Sequence, residues 1–289
     1  MLHRALGGKK IATMEERMSD DLDDESFNTT RSLATLVKAA ATARSVLLQP
    51  PLNYSSIKRL IEVDEDTEEI TANGESDDPL AEELVDAASE LSFTERQGSS
   101  EVSVDPSASL ATLFDKDSQQ AKTLKPRLYL AWEMSDAPNI CGILTACEFS
   151  RDNSLGTSKF SQSYMDSHSI PRLSANNCLL VDVISSSGDP RGVGALLLIS
   201  AYMTVFRSRK YEYLAAVAVS APGKSLCERL GFHTHSFREG TQRQFCWIRA
   251  GDLSAADVNR RLRVDRKLPS VCWRHGFTSR TSHKRYARC

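Results

Sequence analysis

The sequence lacks the patterns that identify several large classes of protein. Its seven cysteines are odd in number and scattered, and they contain no Cys-x-x-Cys pair, which argues against a disulfide framework and a zinc site. The longest apolar run, around residues 193–206, is too short to span a bilayer. The basic start is followed at once by acidic residues, so neither a signal peptide nor a transit peptide is recognised. We therefore expect reduced thiols, no metal, no membrane segment and a cytoplasmic or nuclear location.

Two phosphate-binding motifs are also missing from the glycine-rich segment "SSSGDPRGVGALLL" (185–198). No Lys-Ser/Thr pair follows its glycines, which excludes a nucleoside-triphosphate loop of the usual pattern. Gly192 and Gly194 supply two glycines of a dinucleotide fingerprint, but Leu197 stands in the third place. A dinucleotide-binding domain is therefore the less favoured alternative. Glycines at the start of a helix leave backbone N–H groups accessible, and the segment predicts an anion-binding loop.

Charge is unevenly distributed, although the net charge is only −2. Residues 1–105 hold 10 Lys and Arg against 23 Asp and Glu, whereas the remainder holds 26 against 15. After residue 252 there are 10 basic and 2 acidic residues. This pattern predicts an acidic front and a basic tail that contacts an acidic partner, such as nucleic acid, protein or the front half of its own chain. A solvated end is the simpler interpretation of the same tail.

The chain is long and apolar enough to bury a core, with 289 residues of which 40% are hydrophobic. Residues 31–48 predict a helix that Gln-Pro-Pro ends. We predict three regions: an acidic, partly disordered N-terminal region with one helix over 1–54, an α/β domain over 55–250, and a basic tail over 251–289. Within the domain, residues 127–250 give the clearer signal.

The first part of the predicted domain contains few clear elements. Residues 57–70 are consistent with a strand that runs into an acidic turn, and residues 79–93 place apolar side chains on one helical stripe. Residues 94–124 give no clear pattern, and the polar stretch 150–177 predicts a loop.

From residue 127 onward, apolar strand-like segments alternate with helix-like ones. The expected strands are 127–133, 139–149, 178–184, 213–220 and 242–250, and the expected helices are 192–208 and 221–230. The segment 178–184 is apolar except for Asp182, as expected of a central strand that is buried on both faces. The glycine loop follows its carboxyl end, where open α/β sheets bind ligands.

This order of elements resembles the acyl-CoA-binding half of the GNAT superfamily of N-acyltransferases. Arg191 and Gly194 match two fixed places of the family's Arg/Gln-x-x-Gly-x-Gly/Ala loop, whereas Leu196 stands where Gly or Ala is usual. "LCERLGF" (226–232) is similar to the family's Leu-Tyr-x-x-x-Gly-Phe, and Gly142 matches a glycine of its third strand. The resemblance implies an α/β fold with a mixed, mostly antiparallel sheet, flanked by helices and with splayed central strands. It extends weakly to residues 57–70, which are similar to the family's first strand and to the acidic start of its first helix.

The resemblance also implies a cofactor, acyl-CoA, with acetyl-CoA as the expected donor. Its pyrophosphate would lie on the loop, and its pantetheine arm would lie between 181–185 and 216–220. A backbone N–H near Val183 or Ile184 would stabilise the oxyanion. The residues implied in cofactor binding are Val183, Ile184, Arg191, Gly192, Val193, Gly194, Ala195, Leu196 and Ser220. Ser220 stands where an asparagine is usual, and capping of the next helix is its simpler role.

Family chemistry is direct acyl transfer to an amine, which needs a base and an acid for the departing thiolate. Asp182, Glu133 and Glu148 are the candidate bases, because each is a carboxylate on a predicted strand. An ion pair with a helix arginine would explain Asp182 equally well, and the two glutamates are also consistent with strand ends. Cys227 stands where the family's acidic tyrosine is usual, and it either acts as that acid or packs in the core.

We therefore expect an acyl-CoA-dependent N-acyltransferase whose acceptor is an amine on a protein or a small molecule. The alternative is a GNAT-fold protein that binds acyl-CoA or a partner with weak or no catalysis, because the usual tyrosine, asparagine and last loop glycine are replaced. His233 and His235 would share a strand face, and without a convincing ligand set they predict an ordinary strand.

Overall fold

The computed structural model describes most of the chain between residues 34 and 258. The described residues are 34–64, 67, 69–74, 77–97, 100–114, 123–149, 166, 169–188, 190–208, 210–236, 243–253 and 258. The strands are β1 (Val46–Leu48), β2 (Leu52–Asn53), β3 (Ile61–Val63), β4 (Ile70–Ala72), β5 (Phe93–Gln97), β6 (Ser100–Val104), β7 (Arg127–Glu133), β8 (Asn139–Glu148), β9 (Cys178–Ser186), β10 (Tyr213–Ala218), β11 (His233–Ser236) and β12 (Gln244–Arg249). The helices are α1 (34–42), α2 (Tyr54–Ile57), α3 (Pro79–Glu90), α4 (Pro106–Phe114), α5 (Val193–Arg207) and α6 (Ala221–Leu230).

One large sheet organises these elements, in the order β1-β7-β8-β9-β10-β12-β11, with β2 also paired to β7. The neighbouring strands are antiparallel except for the central pair β9 and β10, which are parallel. Helices α1, α5 and α6 share a hydrophobic core with one face of the sheet, and α2, α3 and α4 share a second core with the other face. The expected mixed, mostly antiparallel sheet between helices is confirmed.

Helix α5 lies close against β8 because residue 142 has no side chain. A Cβ atom on Gly142 would lie 2.5 Å from Cγ1 of Val193 and 2.9 Å from Cδ1 of Leu197, which is closer than real Cβ contacts. The helix is apolar on nearly all sides, and nine of its fifteen residues are buried. Gly142 therefore fixes the distance between the glycine-loop helix and the sheet.

Helix α6 has the ends that its sequence predicts. Ser220 caps its start, and the Ser220 hydroxyl accepts a hydrogen bond from the N–H of Gly223 at 3.1 Å. Gly231 ends the helix with a φ of +81°, a left-handed conformation that favours glycine. Phe232 then enters the core, so "ERLGF" is explained by a helix end and a buried anchor.

The helix predicted over 31–48 ends at residue 42, and its last part is a strand. Ser45 has a φ of +53° and turns the chain, after which Val46–Leu48 pair with β7 as β1. Branched Val46 pairs with Glu133 and gains a ladder of hydrogen bonds, which outweighs the local helix propensity. Residues 34–53 therefore contribute to the same sheet and core as the predicted domain.

The segment 57–70 contains the expected strand followed by an acidic stretch, but this strand is not the first strand of the large sheet, and no helix begins directly after it in the described part of the segment. Residues Ile61–Val63 and Ile70–Ala72 form a separate two-stranded hairpin, β3–β4, and the edge position in the large sheet belongs to β1. Residues 94–124, which gave no clear pattern, contain the hairpin β5–β6 and helix α4. Asp105 begins α4 by accepting hydrogen bonds from the N–H groups of Ser107 and Ala108.

Some predictions lie outside the described residues. These are the disorder predicted over 1–30, most of the loop over 150–177 and almost all of the basic tail over 251–289. Among the helices that are described, none is both long and apolar enough to cross a membrane.

Candidate functional site

The two central strands separate halfway along β9. Pairing between β9 and β10 begins at Cys178 with Tyr213 and stops at Val181 with Ala216, although β9 continues for five more residues. The remaining part of β9 stays paired with β8. The expected splay is therefore confirmed, and from Asp182 onward β9 has no partner among the described strands on the side of β10; we refer to this gap between the strands as the cleft.

A β-bulge lies at the point where the strands separate. Ala146 of β8 pairs with Val181, and the preceding Thr145 pairs with Val183, so that Asp182 is an extra residue on β9. A bulge of this kind bends its strand and re-aims a side chain. Here it carries the one charged residue of β9.

The start of α5 has backbone donors without partners inside the helix. Gly192 has a φ of +90° and precedes the first helical residue without making a side-chain cap. The first bond of the helix runs from the N–H of Leu196 to the carbonyl of Gly192, at 3.1 Å. The N–H groups of Val193, Gly194 and Ala195 therefore have no intrahelical acceptor, and the first turn contains no acidic residue. Leu196, in contrast, uses its N–H in the helix and buries its side chain.

An arginine from the N-terminal region lies against this loop. Nε of Arg44 donates to the carbonyl of Arg191 at 3.0 Å, and its Nη1 donates to the carbonyl of Ala40 at 2.9 Å. A Cβ atom on Gly192 would lie only 3.3 Å from Nε of Arg44. The guanidinium group thus links the end of α1 to the glycine loop, while the side chain of Arg191 is exposed.

Gly194 lies between β9 and α6. A Cβ atom on Gly194 would meet Cδ2 of Leu226 and Oγ of Ser186 at 3.7 Å and Cδ1 of Ile184 at 3.9 Å. These are ordinary contacts, so packing does not require glycine at this position. Gly194 is therefore unlike Gly142, because a Cβ atom at this position would displace no neighbour.

Asp182 is held by hydroxyl groups on the opposite face of the sheet. Oγ of Ser109, on α4, lies 2.5 Å from Oδ2 of Asp182 and 2.7 Å from Oγ1 of Thr145. The sequence suggested an ion pair between Asp182 and a helix arginine. In the structure, the side chain that binds this carboxylate is instead a serine on helix α4. Burial raises the pKa of Asp182 to about 6, and the hydrogen bond from Ser109 partly opposes this shift.

The two candidate oxyanion donors, the N–H groups of Val183 and Ile184, point to opposite edges of β9. The N–H of Val183 donates to Oγ1 of Thr145 at 3.2 Å, so it points towards β8. Successive N–H groups of a strand point to opposite edges. The N–H of Ile184 is therefore directed to the edge from which β10 has separated.

The two glutamates lie away from Asp182. Glu148 pairs with Leu179, near the start of β9 and about 16 Å along the strand from Ile184. It is buried, forms ion pairs with Lys210 and with Lys125, the latter at 3.4 Å, and accepts a hydrogen bond from Tyr211. These partners explain why a carboxylate is buried at this position. Glu133 lies at the same end of the sheet as the cleft, but on β7, two strands from β9.

Cys227 lies in the core between α6 and β12. Its thiol is buried and hydrogen-bonded to Cys246; this bond and burial raise the pKa of Cys227, whereas the same bond lowers the pKa of Cys246. A buried thiol with a raised pKa is a weak acid, so this environment favours the packing role. His233 lies on β11 and stacks on Trp247 with ring centroids 5.5 Å apart. Within the described part of the chain, no three His, Cys, Asp or Glu side chains form a possible metal site.

Arg44, Ser109 and Thr145 were missed by the sequence analysis. Arg44 and Arg191 are 147 residues apart, and no local pattern relates them. Ser109 could have been placed on a helix, because Asp105 followed by Pro106 is a helix-start signal. Its contact with Asp182 depends on how α4 packs against the sheet.

No family model matches the sequence, and no curated protein matches it either. Solved structures are similar to part of it. Arabidopsis thaliana NAA60 in complex with a bisubstrate analogue is 9% identical, with a TM-score of 0.33, over 49% of this chain and 80% of that chain. A GNAT family acetyltransferase from Elizabethkingia anophelis with acetyl-CoA bound is 12% identical, with a TM-score of 0.31, over 55% and 99%. An agmatine N-acetyltransferase mutant in its apo form is 12% identical, with a TM-score of 0.33, over 71% and 99%.

Proposed function

We propose that this protein is an acyl-CoA-dependent N-acyltransferase, with acetyl-CoA as the donor and an amine as the acceptor. The observation that carries the proposal is the parting of the parallel strands β9 and β10 beside a helix start with unused N–H groups. A cleft between strands can accept an extended arm along its backbone, and the helix start can bind the phosphates at the end of that arm.

The start of α5 is the anion-binding part of the proposed site. The N–H groups of Val193, Gly194 and Ala195 point out of the start of α5, where the helix dipole favours negative charge. Arg44 and Arg191 bring two cations to the same loop. Backbone N–H groups without an acceptor inside the helix need one outside it, and the positive end of the helix favours an acceptor that is an anion. A diphosphate fits this need, because it offers several acceptors and charge-assisted bonds.

The acyl end of the cofactor belongs at the cleft beside β9. Bound acyl-CoA would supply an activated thioester, whose carbonyl the acceptor amine attacks and whose thiol departs. The N–H of Ile184 is aimed into the cleft and is our choice for the oxyanion donor; Val183 already uses its N–H on Thr145. The arm would lie beside Gly194, whose lack of a side chain lets it come close to the backbone at the start of α5.

Asp182 is our choice for the base. It lies at the bulge where the strands part, and its pKa of about 6 leaves it ionised at neutral pH and well matched to accept a proton from an amine. Glu133 is the second choice because it lies at the same end of the sheet. Glu148 is left out because it is engaged by lysines at the other end.

A second candidate function is the binding of acyl-CoA with little catalysis. The position of the family's acidic tyrosine is held by Cys227, a buried and hydrogen-bonded thiol. Loss of that acid would slow departure of the thiolate without affecting cofactor binding. Cys227→Ser separates the two roles: a large fall in kcat with an unchanged melting temperature would restore Cys227 as the acid.

The test combines binding with turnover. Calorimetric titration with acetyl-CoA is expected to show one site, and a panel of peptide and small-molecule amines is expected to contain one that accelerates release of free CoA. Arg191→Glu should weaken binding by at least tenfold, since it places a negative charge beside the phosphates. The matched control is Arg207→Glu, which makes the same change at the other end of α5, about 20 Å away. Binding without turnover on any amine would favour the second candidate, and no binding would reject both.

A further inference from the structure

A chain of hydroxyl groups connects Asp182 to the backbone of its own strand. Oγ of Ser109 lies within hydrogen-bond distance of both Oδ2 of Asp182 and Oγ1 of Thr145, at 2.5 and 2.7 Å. Oγ1 of Thr145 accepts in turn from the N–H of Val183, at 3.2 Å. The side chains of Ser109 and Thr145 are buried. The four groups therefore form one connected path across the β-bulge.

Counting donors gives this path a direction. An ionised carboxylate has no proton to donate, so Ser109 must donate its single hydroxyl proton to Asp182. Thr145 must then donate to Ser109, and its own oxygen is the acceptor for Val183. Every hydroxyl in the path is used once as a donor and once as an acceptor. The arrangement is complete only while Asp182 is present as an acceptor.

The surroundings of Asp182 contain few alternatives to this path. Neither α4 nor β10 contains an Asp, Glu, His, Lys or Arg residue, whereas β6, which also packs against β9, contains Glu101. On β8, burial raises the pKa of the Cys147 thiol, and the negative charge of Asp182 adds to this shift. Polar groups are costly in such a place unless they are satisfied, and an apolar trio of similar size would stabilise the fold at least as well.

We infer that Ser109 and Thr145 are positioning residues that anchor Oδ2 of Asp182 and leave Oδ1 as the oxygen that accepts the proton of the acceptor amine. The inference rests on the proposed acyl transfer. As the carbon–nitrogen bond forms and the carbon–sulfur bond breaks, one proton passes from nitrogen to Oδ1. The carboxyl group then returns it to the departing thiolate or to water, so that Asp182 regains its charge. Oδ2 keeps the hydrogen bond from Ser109 throughout.

The matched pair Thr145→Val and Thr145→Ser tests this inference, because the first removes the hydroxyl with little change of shape and the second retains it. The pH dependence of kcat/KM is measured for both and for Ser109→Ala. Thr145→Val and Ser109→Ala should move the acidic limb upward by about one pH unit, a roughly tenfold loss below neutral pH that shrinks at high pH. Thr145→Ser should keep the acidic limb of the wild type. Thr112→Ala, which removes an exposed hydroxyl from the same helix, is the control.

Two further measurements distinguish failure of this inference from failure of the proposed function. In an Asp182→Asn background the effect of Ser109→Ala on the pH profile should vanish, because the serine acts through the carboxylate. Carboxyl ¹³C titration of Asp182 in the protein without cofactor should show the same upward shift in Ser109→Ala. An active wild type whose acidic limb and titration are unchanged by Ser109→Ala and Thr145→Val would overturn the inference. Absence of acetyl-CoA binding and turnover in the wild type would instead overturn the proposed function, and the inference with it.

Discussion

The two faces of the large sheet carry the two halves of the proposed site, and they differ in how they are built. On the face of α5 and α6, backbone groups and missing side chains form the cofactor half, through Gly142, Gly192 and Gly194. On the face of α3 and α4, side-chain hydroxyls hold one carboxylate, Asp182. The comparison teaches that the proposed binding half depends on backbone conformation, whereas the proposed chemical half depends on which side chains tertiary packing brings together.

The largest effect on stability is expected at Gly142, where helix α5 packs against strand β8. Gly142→Val should lower the free energy of unfolding by about 2 to 4 kcal/mol, because even its Cβ atom would overlap Val193 and Leu197. Urea denaturation measures the change. Gly74→Ala is the control, since nothing lies within 4 Å of the new Cβ atom, and it should alter stability by less than about 0.5 kcal/mol. An equal loss in both variants would mean that α5 does not press on β8 as described.

The second effect is a pH-dependent change in stability at Asp182, on the face of the sheet that packs against α3 and α4. The pKa of Asp182 is about 6 in the folded protein and about 3.9 in an unfolded chain, so the folded state holds more protons between these values. Stability contributed by this group is therefore lost as pH rises from about 4 to above 6. Asp182→Asn removes the buried charge and should be more stable than the wild type by about 2 kcal/mol at pH 8, allowing for partial exposure.

The measurement is the free energy of unfolding of both proteins from pH 4 to pH 8. The difference should fall to about 0.5 kcal/mol near pH 4, where the carboxyl is protonated in the folded state and about half protonated in the unfolded chain. A difference that is constant over this range, or greatest at pH 4, would contradict a raised pKa at Asp182. The same variant should lose acyl transfer despite its higher stability at pH 8.

The smallest effect is expected at Gly194, which we predict to matter for CoA binding, whereas Gly142 matters for stability. Gly194→Val should weaken the binding of CoA by about tenfold, because its methyl groups would enter the space between β9 and α6. It should cost less stability than Gly142→Val, since its Cβ atom meets only ordinary contacts. Calorimetry and denaturation of the two variants together test this ordering. Unweakened CoA binding in Gly194→Val would place the arm of the cofactor elsewhere.

The sequence predicted the first face better than the second, for physical reasons. The order of elements after residue 127, the start of α5 and the cap at Ser220 follow from local signals: apolar periodicity, glycines and turn residues. Strand β1 was taken for the end of a helix, because its three residues form a strand only by pairing with β7. Such edge pairing has no signal within the segment itself.

The hydroxyl partners of Asp182 show the same limit. Ser109 lies 73 residues from Asp182 in sequence, and a serine in a short, mostly apolar helix does not by itself indicate a function. A charged residue within an apolar strand did single out Asp182 as a position to explain. The identity of its partner needed the packing of α4 against the sheet. Arg44 reached the glycine loop in the same way, through the turn between α1 and β1.

The most direct test of the account is amide NMR of the glycine loop during titration with CoA. We predict that the N–H signals of Val193, Gly194 and Ala195 shift on addition of CoA and stay in place with pantetheine, which lacks the diphosphate. If CoA binds while these three signals remain unchanged, or if it does not bind at all, the start of α5 is not a diphosphate site and the central claim is wrong.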